Sequence, residues 1–309
     1  MPSPTARQSH IDAALTNVSI GYSNARYVFD QVFPTVTVRK MSDKYFVFDK
    51  DSWFRDESAV RAPGGKAKRA EYTLTSSALY ICLEKALAKL VTDEEVDNAD
   101  APLQPFVTAT KFVTDQILKS QEKDVIDLVF GNSNWSNSAT PGTLWSNPAS
   151  EPLEDIETAM FTVAQAIGRE PNVGVIGRGL WRYLKNHADL IDRVKYGQTP
   201  GSAAYVNESG VAALIGLDRL LVTRSVIENA AEGVTGSQVF IGGTHMWLGY
   251  VPAGAALAEP AAGYTFSFKN REVNRFRDDE AHTAIIECRA NWDAKITAPD
   301  AGYLIKSAA

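Results

Sequence analysis

Residues 44–83 read KYFVFDKDSWFRDESAVRAPGGKAKRAEYTLTSSALYICL, and this is the most informative stretch of the chain. Aromatic and β-branched residues near its start, and alternating apolar residues in 71–83, predict the two strands of an antiparallel hairpin. The connection at 55–69 is too charged to be buried and contains Pro63-Gly64-Gly65. A two-stranded ribbon is only marginally stable in water, so its aromatic side chains need a cover from outside the hairpin. We therefore predict a projecting arm that lies on a neighbouring subunit.

The tip of this arm carries charges of both signs. The candidate contact residues are Arg55, Asp56, Glu57, Arg61, Lys66, Lys68 and Arg69. Because mixed charges favour specific pairing over the binding of phosphates, we interpret the tip as a subunit-contact surface. The alternative is a loop that is simply solvated.

Short motifs in and around the hairpin resemble those of a known family. They are Phe33-Pro34-x-Val36-x-Val38, Ser42-Asp43-Lys44-Tyr45-Phe46, Trp53-Phe54-Arg55-Asp56-Glu57, Arg61-Ala62-Pro63-Gly64, Asp93-Glu94-x-x-x-Asn98-Ala99-Asp100-x-Pro102-Leu103, Ala109-x-x-Phe112-Val113-Thr114 and Ala301-Gly302-Tyr303-Leu304-Ile305. In these motifs, which span most of the chain, the sequence resembles the major capsid proteins of tailed bacteriophages, which share the Hong Kong 97-type shell fold. Some of those shells crosslink a loop lysine to an asparagine of a neighbour. Lys66 and Lys68 are the lysines available for this, but no further feature supports such a link.

The resemblance implies an α+β fold of the Hong Kong 97-like major capsid type. Its parts are an N-terminal arm, an extended β-hairpin loop, a long spine helix, and peripheral and axial domains. The expected boundaries are 1–30 for the N-terminal arm, 31–92 for the extended loop hairpin and its base, 93–152 for the spine helix and the first part of the peripheral domain, 153–260 for the axial α/β domain, and 261–309 for the return strands of the peripheral domain.

Hydrophobic periodicity predicts one long helix at 102–130. Its apolar stripe recurs every three or four residues and comprises Phe106, Thr110, Val113, Ile117, Val125 and Leu128. A helix of this length would extend about 40 Å and normally serves as a spine for other elements. Glu122 and Asp124 on this helix are interpreted as charges on its solvated face.

The rest of the chain alternates between short helices and strands. A second amphipathic helix is predicted at 153–167, with Ile156, Met160, Val163 and Ile167 facing inward. Further helices are predicted at 180–187 and 211–215, and strands at 172–176, 220–223, 239–242 and 246–251. This alternation favours a mixed α/β domain. From residue 264 onward strands dominate, at 266–268, 273–276, 283–288 and 303–305, and they are expected to pack with the long helix and the base of the hairpin.

Composition excludes several classes of protein. A net charge of −6 over 309 residues argues against a protein that grips nucleic acid through its phosphates, but not against one that encloses it. No apolar run approaches the roughly 18 to 20 residues that would span a membrane, and residues 1–24 are too polar for a secretory signal. The two cysteines, Cys82 and Cys288, are expected to be free and buried, which indicates folding in a cytoplasm.

Three other patterns suggest chemistry but have simpler interpretations. The glycines of Gly174-Val-Ile-Gly177-Arg-Gly179 fit neither dinucleotide-binding nor phosphate-loop spacing, so they predict a turn. His187 with Asp189 and Asp192 could hold a metal, but a solvated helix end is favoured. The acidic run from Asp93 to Asp100 favours a helix N-terminus or basic residues of another subunit over a calcium loop. No catalytic residue, cofactor site or metal site is predicted.

These observations predict a structural protein rather than an enzyme. The resemblance implies a major capsid subunit that assembles into pentamers and hexamers of an icosahedral shell. That shell would enclose double-stranded phage DNA and form in the host bacterial cytoplasm. Separate scaffolding, portal and decoration proteins are the further partners that it implies. One alternative is the shell of an encapsulin-like bacterial nanocompartment, and another is a cytoplasmic α/β enzyme that binds a ligand around residues 174–179.

Overall fold

The structure, a computed structural model, describes most of the chain. The described residues are 10–11, 13–22, 27–47, 58, 60–61, 63, 66, 75–100, 104–197, 206–230, 233–254 and 260–309. They form helices and strands in a mixed arrangement, which confirms the α+β class.

The first sheet is built around two long antiparallel strands. Its members are β1 (His10–Ile11), β2 (Thr35–Thr37), β5 (Leu83–Thr92), β12 (Gly263–Asp278) and β13 (Thr283–Ile296), in the order β1-β12-β13-β5 with β2 added to β12. The two long strands were predicted as shorter pieces. Strand β5 was not predicted beyond its first residue, because it continues directly from the hairpin after Cys82.

A long helix, α4 (Pro105–Val129), packs on this sheet and confirms the predicted spine-like helix. It begins with Pro105 at its first turn, where a missing N–H costs nothing. Its buried side chains include Val113, Ile117 and Val125, which belong to the predicted stripe. Three short helices precede it: α1 (Ala13–Gly21), α2 (Phe29–Val32) and α3 (Asp93–Asp97).

Helix α1 lies in the stretch that was expected to form an N-terminal arm. It packs on α4 and β12, with Leu15 and Ser19 buried. Ser19 accepts a hydrogen bond from Thr114 of α4 (2.9 Å). The sequence carries little signal for this helix because its buried side is partly polar.

A second sheet forms the core of the other half. Its strands are β6 (Asn137–Ala139), β7 (Val173–Gly177), β8 (Arg219–Thr223), β11 (Met246–Gly249) and β14 (Gly302–Ile305), in the order β6-β14-β11-β7-β8. Helices α5 (Pro152–Ile167), α6 (Arg178–Leu184), α7 (Ala188–Gly197) and α8 (Glu208–Ile215) belong to this half. Strand β14 pairs here rather than with β12 and β13, so the final strand lies between β6 and β11 in the second sheet.

Helix α5 shows how closely periodicity specifies burial in this half. Ile156, Met160, Val163 and Ile167 were predicted to face inward, and all four are buried. The helix ends at Gly168, whose φ of 66° lies in the left-handed region that glycine adopts without steric cost.

Both cysteines are free and fully buried, as predicted. Burial raises the pKa of Cys82 to about 11, and burial also raises the pKa of Cys288. Because the thiolate is the reactive form, we expect both to react slowly with a thiol reagent in the native protein and quickly in denaturant. The rate of labelling, measured by absorbance in the native and the denatured protein, tests this expectation. Rapid native labelling, or a bond between the two on a non-reducing gel, would contradict it.

Candidate assembly surface

The predicted hairpin is present, and its base is held by the same chain. Strand β3 (Ser42–Val47) pairs antiparallel with β4 (Thr75–Ile81), from Ser42 opposite Ile81 to Val47 opposite Thr75. The ring of Tyr80 stacks on Phe266 of β12 at a centroid distance of 4.6 Å, and Tyr45 lies 5.5 Å from the same ring. At this base the cover is supplied by β12, which confirms that the C-terminal strands pack with the base of the hairpin. The contact of the projecting arm with a neighbouring subunit stays a prediction.

Polar contacts fasten the same base to β13. The backbone N–H of Ile81 donates to the carboxylate of Asp293 (2.8 Å), and the hydroxyl of Tyr45 donates to the carbonyl of Ile296 (3.4 Å). Cys82 is buried here and its N–H donates to the carbonyl of Met41 (2.7 Å). The hairpin therefore leaves the first sheet from a fixed root.

The outward side of the root is apolar and exposed. Leu79, Ile81 and Leu83 alternate with the inward Tyr80 and Cys82, and their side chains are 53%, 53% and 66% exposed. Alternate residues of a strand point to opposite faces, so these three form one row. Exposed aliphatic side chains in such a row are a feature of protein interaction surfaces.

The tip residues can be placed only in part. Arg61 and Lys66 are exposed. Arg55, Asp56, Glu57, Lys68 and Arg69 lie outside the described residues. The contact role of the tip stays a prediction.

The glycines at 174–179 have a packing explanation. Gly177 ends β7, and a Cβ at this position would overlap the carbonyl oxygens of Gly242 and Gly243. Gly174 is buried in the strand and faces Leu217 and Leu220. The predicted turn is wrong, because residues 174–177 lie in β7 and 178–179 begin α6. Gly177 and Gly179 instead permit close approach of the backbone at 242–243, and they give no support for a ligand loop.

His187 does not lie on a solvated helix end, so that interpretation was wrong. It is buried, and its Nε2 lies 3.1 Å from Ser150 Oγ. Its Nδ1 accepts the backbone N–H of Asp189 (3.4 Å). Within the described ranges, no group of three or more potential metal-binding side chains occurs.

The acidic run confirms its predicted position at a helix N-terminus. Residues Asp93–Asp97 form α3, and the Thr92 side chain accepts the N–H of Glu95 (3.2 Å). Asp93 also forms a bidentate pair with Arg277 at 2.6 Å, which lowers the pKa of the carboxyl. This pairing lies within one chain and joins α3 to β12.

Glu122 was interpreted as a solvated charge, and this was wrong. Its side chain is fully buried, and Oε2 accepts the backbone N–H groups of Val28 and Phe29 (2.9 Å each). Oε1 accepts the hydroxyl of Ser225 (3.2 Å). Burial raises the pKa of Glu122 to about 7. One carboxyl thus joins the long helix to the N-terminal segment and to the segment after β8.

Asp124, the other charge on this helix, is also engaged. It accepts from Lys85 Nζ (2.6 Å) and from Trp292 Nε1 (2.9 Å), and it is partly exposed. It therefore ties α4 to β5 and β13 instead of facing solvent alone.

Among the helices that the structure describes, none is long and apolar enough to cross a membrane.

Comparison with known sequences identifies two relatives that match at full length. No family model matches the chain. The major capsid protein of Pseudomonas phage JBD67 is 28% identical over 309 residues, covering 96% of this chain and 97% of that protein. The major capsid protein of Burkholderia phage BcepMu is 26% identical over 309 residues, covering 96% and 95%.

Comparison with solved structures also identifies phage proteins and a shell-forming protein. A phage-related protein from Bordetella bronchiseptica RB50 superposes with a TM-score of 0.77 at 25% identity, covering 96% of this chain and 97% of that one. The capsid structure of cyanophage P-SCSP1u gives a TM-score of 0.56 at 10% identity, covering 92% and 89%. The SrpI encapsulin complex from Synechococcus elongatus PCC 7942 gives 0.57 at 12% identity, covering 91% and 87%. The resemblance to tailed-phage major capsid proteins is confirmed, and the fold is one that phage capsid proteins adopt.

Proposed function

We propose that this chain is a structural protein, the major capsid subunit of a tailed phage. The observation that carries the proposal is that two phage major capsid proteins match it over 96% of its length. Shell-forming structural neighbours support assembly from many copies of the chain, and the capsid relatives support its location in the virion. The role is mechanical, since the function of a shell lies in the contacts between its subunits.

The architecture fits the parts of the Hong Kong 97-type shell fold. Helix α4 would be the spine, and the first sheet with α4 would form the peripheral domain. The second sheet and its helices, most of them within 153–260, would form the axial domain, and residues 1–30 the N-terminal arm. Because β6 and β14 pair in the second sheet, we assign residues 137–139 and 302–305 to the axial side and 261–301 to the peripheral return strands.

Assembly would proceed through repeated contacts that are individually weak. The hairpin that begins with β3 and β4 would extend its tip onto a neighbour, and the axial domain would pack around the axes of pentamers and hexamers. Many simultaneous contacts multiply, so a shell can be stable although each contact is modest. Double-stranded DNA would be enclosed without sequence-specific binding, which suits the net charge of −6. Scaffolding, portal and decoration proteins would be separate partners.

Electron microscopy tests this proposal directly. We expect the full-length protein, alone or co-expressed with neighbouring phage genes, to form closed particles tens of nanometres across. The reason is the apolar row at Leu79, Ile81 and Leu83, which the described part of the chain leaves exposed. Negative staining and light scattering measure particle size. A monodisperse monomer or dimer that never enlarges with its partners would contradict the proposal.

A nanocompartment shell is the second candidate, and the encapsulin neighbour favours it as an alternative. The likeness has a TM-score of 0.57 at 12% identity and so concerns the fold alone. Purified particles discriminate the two. Nuclease-resistant double-stranded DNA inside indicates a phage capsid, whereas a co-purified protein cargo without DNA indicates a nanocompartment.

A further inference from the structure

A small hairpin leaves the second sheet after β8. Its strands, β9 (Val226–Glu228) and β10 (Gln238–Phe240), are antiparallel, and they pair with each other and with no other described strand. A two-stranded hairpin of this length gains little stability by itself in water. The stability of this hairpin therefore depends on the contacts at its root and on contacts that bury its two faces.

The root of this hairpin is firmly held. Ser225, directly before β9, donates its hydroxyl to the buried Glu122 of α4 (3.2 Å). Ile241, directly after β10, donates its N–H to the carbonyl of Ser225 (3.1 Å). A Cβ on Gly242 would overlap Thr223 of β8, so the turn after the hairpin sits tightly against the second sheet.

Beyond the root, each face of the hairpin carries one apolar cross-strand pair, and the polar pair of Glu228 and Gln238 follows at its outer end. Phe240 lies opposite Val226 on one face, and Val239 lies opposite Ile227 on the other. Phe240 is 47% exposed and Val239 is 36% exposed. None of these four side chains belongs to a buried core cluster of the described chain. A fixed hairpin thus presents one apolar pair on each of its two faces.

Two faces on one element favour a particular symmetry of contact. An isologous dimer uses the same patch on both copies and would need one face. A ring uses two different patches, because each copy contacts one neighbour ahead and another behind. Residues 226–240 contain two glutamates and no Lys or Arg, so this hairpin is unsuited to contact phosphates.

We propose that the 226–240 hairpins of successive copies stack around the ring of a capsomer, with the Phe240 and Val226 face of one copy on the Val239 and Ile227 face of the next. The inference rests on the proposed function, which supplies many copies of the chain around one axis. The occupant of each face is thus a second copy of this chain.

Cysteine pairs on opposite faces test this stacking in assembled particles. The double variant Ile227→Cys/Phe240→Cys places one thiol on each face, and Val226→Cys/Val239→Cys does the same for the other two positions. Opposite-face thiols cannot meet within one hairpin, but stacked copies bring them together. We expect most of the chain to enter a ladder of covalent multimers, ending at the ring size, on a non-reducing gel after mild oxidation or a short bismaleimide.

The matched control places both thiols on one face, as Val226→Cys/Phe240→Cys. It can link within one hairpin or between like faces, so no ladder beyond a dimer is expected. The native Cys82 and Cys288 are fully buried and give little background. Wild-type particles together with opposite-face variants that remain monomeric would overturn the stacking. Strong dimers from the single variant Phe240→Cys would overturn it also, since they indicate isologous pairing. Absence of wild-type particles would instead contradict the proposed function.

Discussion

Shortening residues 59–69 to a tight turn is expected to leave the subunit folded and to abolish stable particles. These residues carry Arg61, Lys66, Lys68, Arg69 and the Pro63-Gly64-Gly65 break, but almost no large apolar side chain, so they add little to the core. Loop length itself changes closure entropy by only about 0.6 kcal/mol per doubling. If the tip contacts a neighbour, the deletion removes that contact from every subunit of the shell. A loss of about 1 kcal/mol of assembly free energy for each polar contact then adds up over the whole particle. Circular dichroism and electron microscopy measure the two outcomes.

Two matched variants separate the possible causes. A Gly/Ser segment of the original length keeps the reach of the loop but removes its charges, so particles from this variant would show that reach matters more than pairing. Phe266→Ala removes the ring under Tyr80 and Tyr45, and we expect it to lower subunit stability by about 3–5 kcal/mol, as large-to-small core changes do. Normal, equally heat-resistant particles from the shortened variant would show that the tip is no assembly element.

The sequence predicted the elements whose burial follows a simple period. Helices α4 and α5 were found because their apolar side chains repeat every three or four residues over several turns. Glu122 occupies the same stripe as Leu118 and Val125, both of them buried. Its position was therefore a signal of burial, but the charge of its side chain outweighed that signal. A buried carboxyl needs partners from distant segments, here Val28 and Ser225, and local sequence does not reveal them.

The sequence predicted that the candidate surface contains a hairpin, but not which residues hold that hairpin in place. Aromatic side chains in 45–54 indicated a hairpin that needs a cover, and the structure provides Phe266 for the base, more than 180 residues away from Tyr80. The hairpin at 226–240 was only partly anticipated, as a single strand at 239–242. Three-residue strands carry too few alternations for a period to be recognised. In a single chain, surfaces that contact other copies are recognised mainly by apolar side chains that remain exposed.

Replacing Glu122 with Gln is expected to remove most of the loss of stability that the wild type shows as pH rises from 5 to 8. Burial raises the pKa of Glu122 from its ordinary 4.5 to about 7, and the nearby Asp30 carboxylate acts in the same direction. The folded chain therefore holds this proton more tightly than the unfolded chain. The resulting stabilisation is complete below pH 4.5 and is lost as pH rises through 7. The difference corresponds to about 3 kcal/mol in the free energy of unfolding.

Denaturant unfolding of the unassembled subunit at several pH values measures this effect. The Gln oxygen can still accept the N–H groups of Val28 and Phe29, so the variant should match the wild type near pH 5 and exceed it above pH 7. Glu122→Leu is the control, because it leaves both N–H groups without an acceptor at a cost of about 1–3 kcal/mol each at every pH. Parallel pH profiles for the wild type and Glu122→Gln would mean that the carboxylate is stabilised by its three hydrogen bonds as fully as in water. In that case Glu122 would still connect α4 to the N-terminal segment and to the root of the 226–240 hairpin, but its contribution to the free energy of unfolding would not depend on pH.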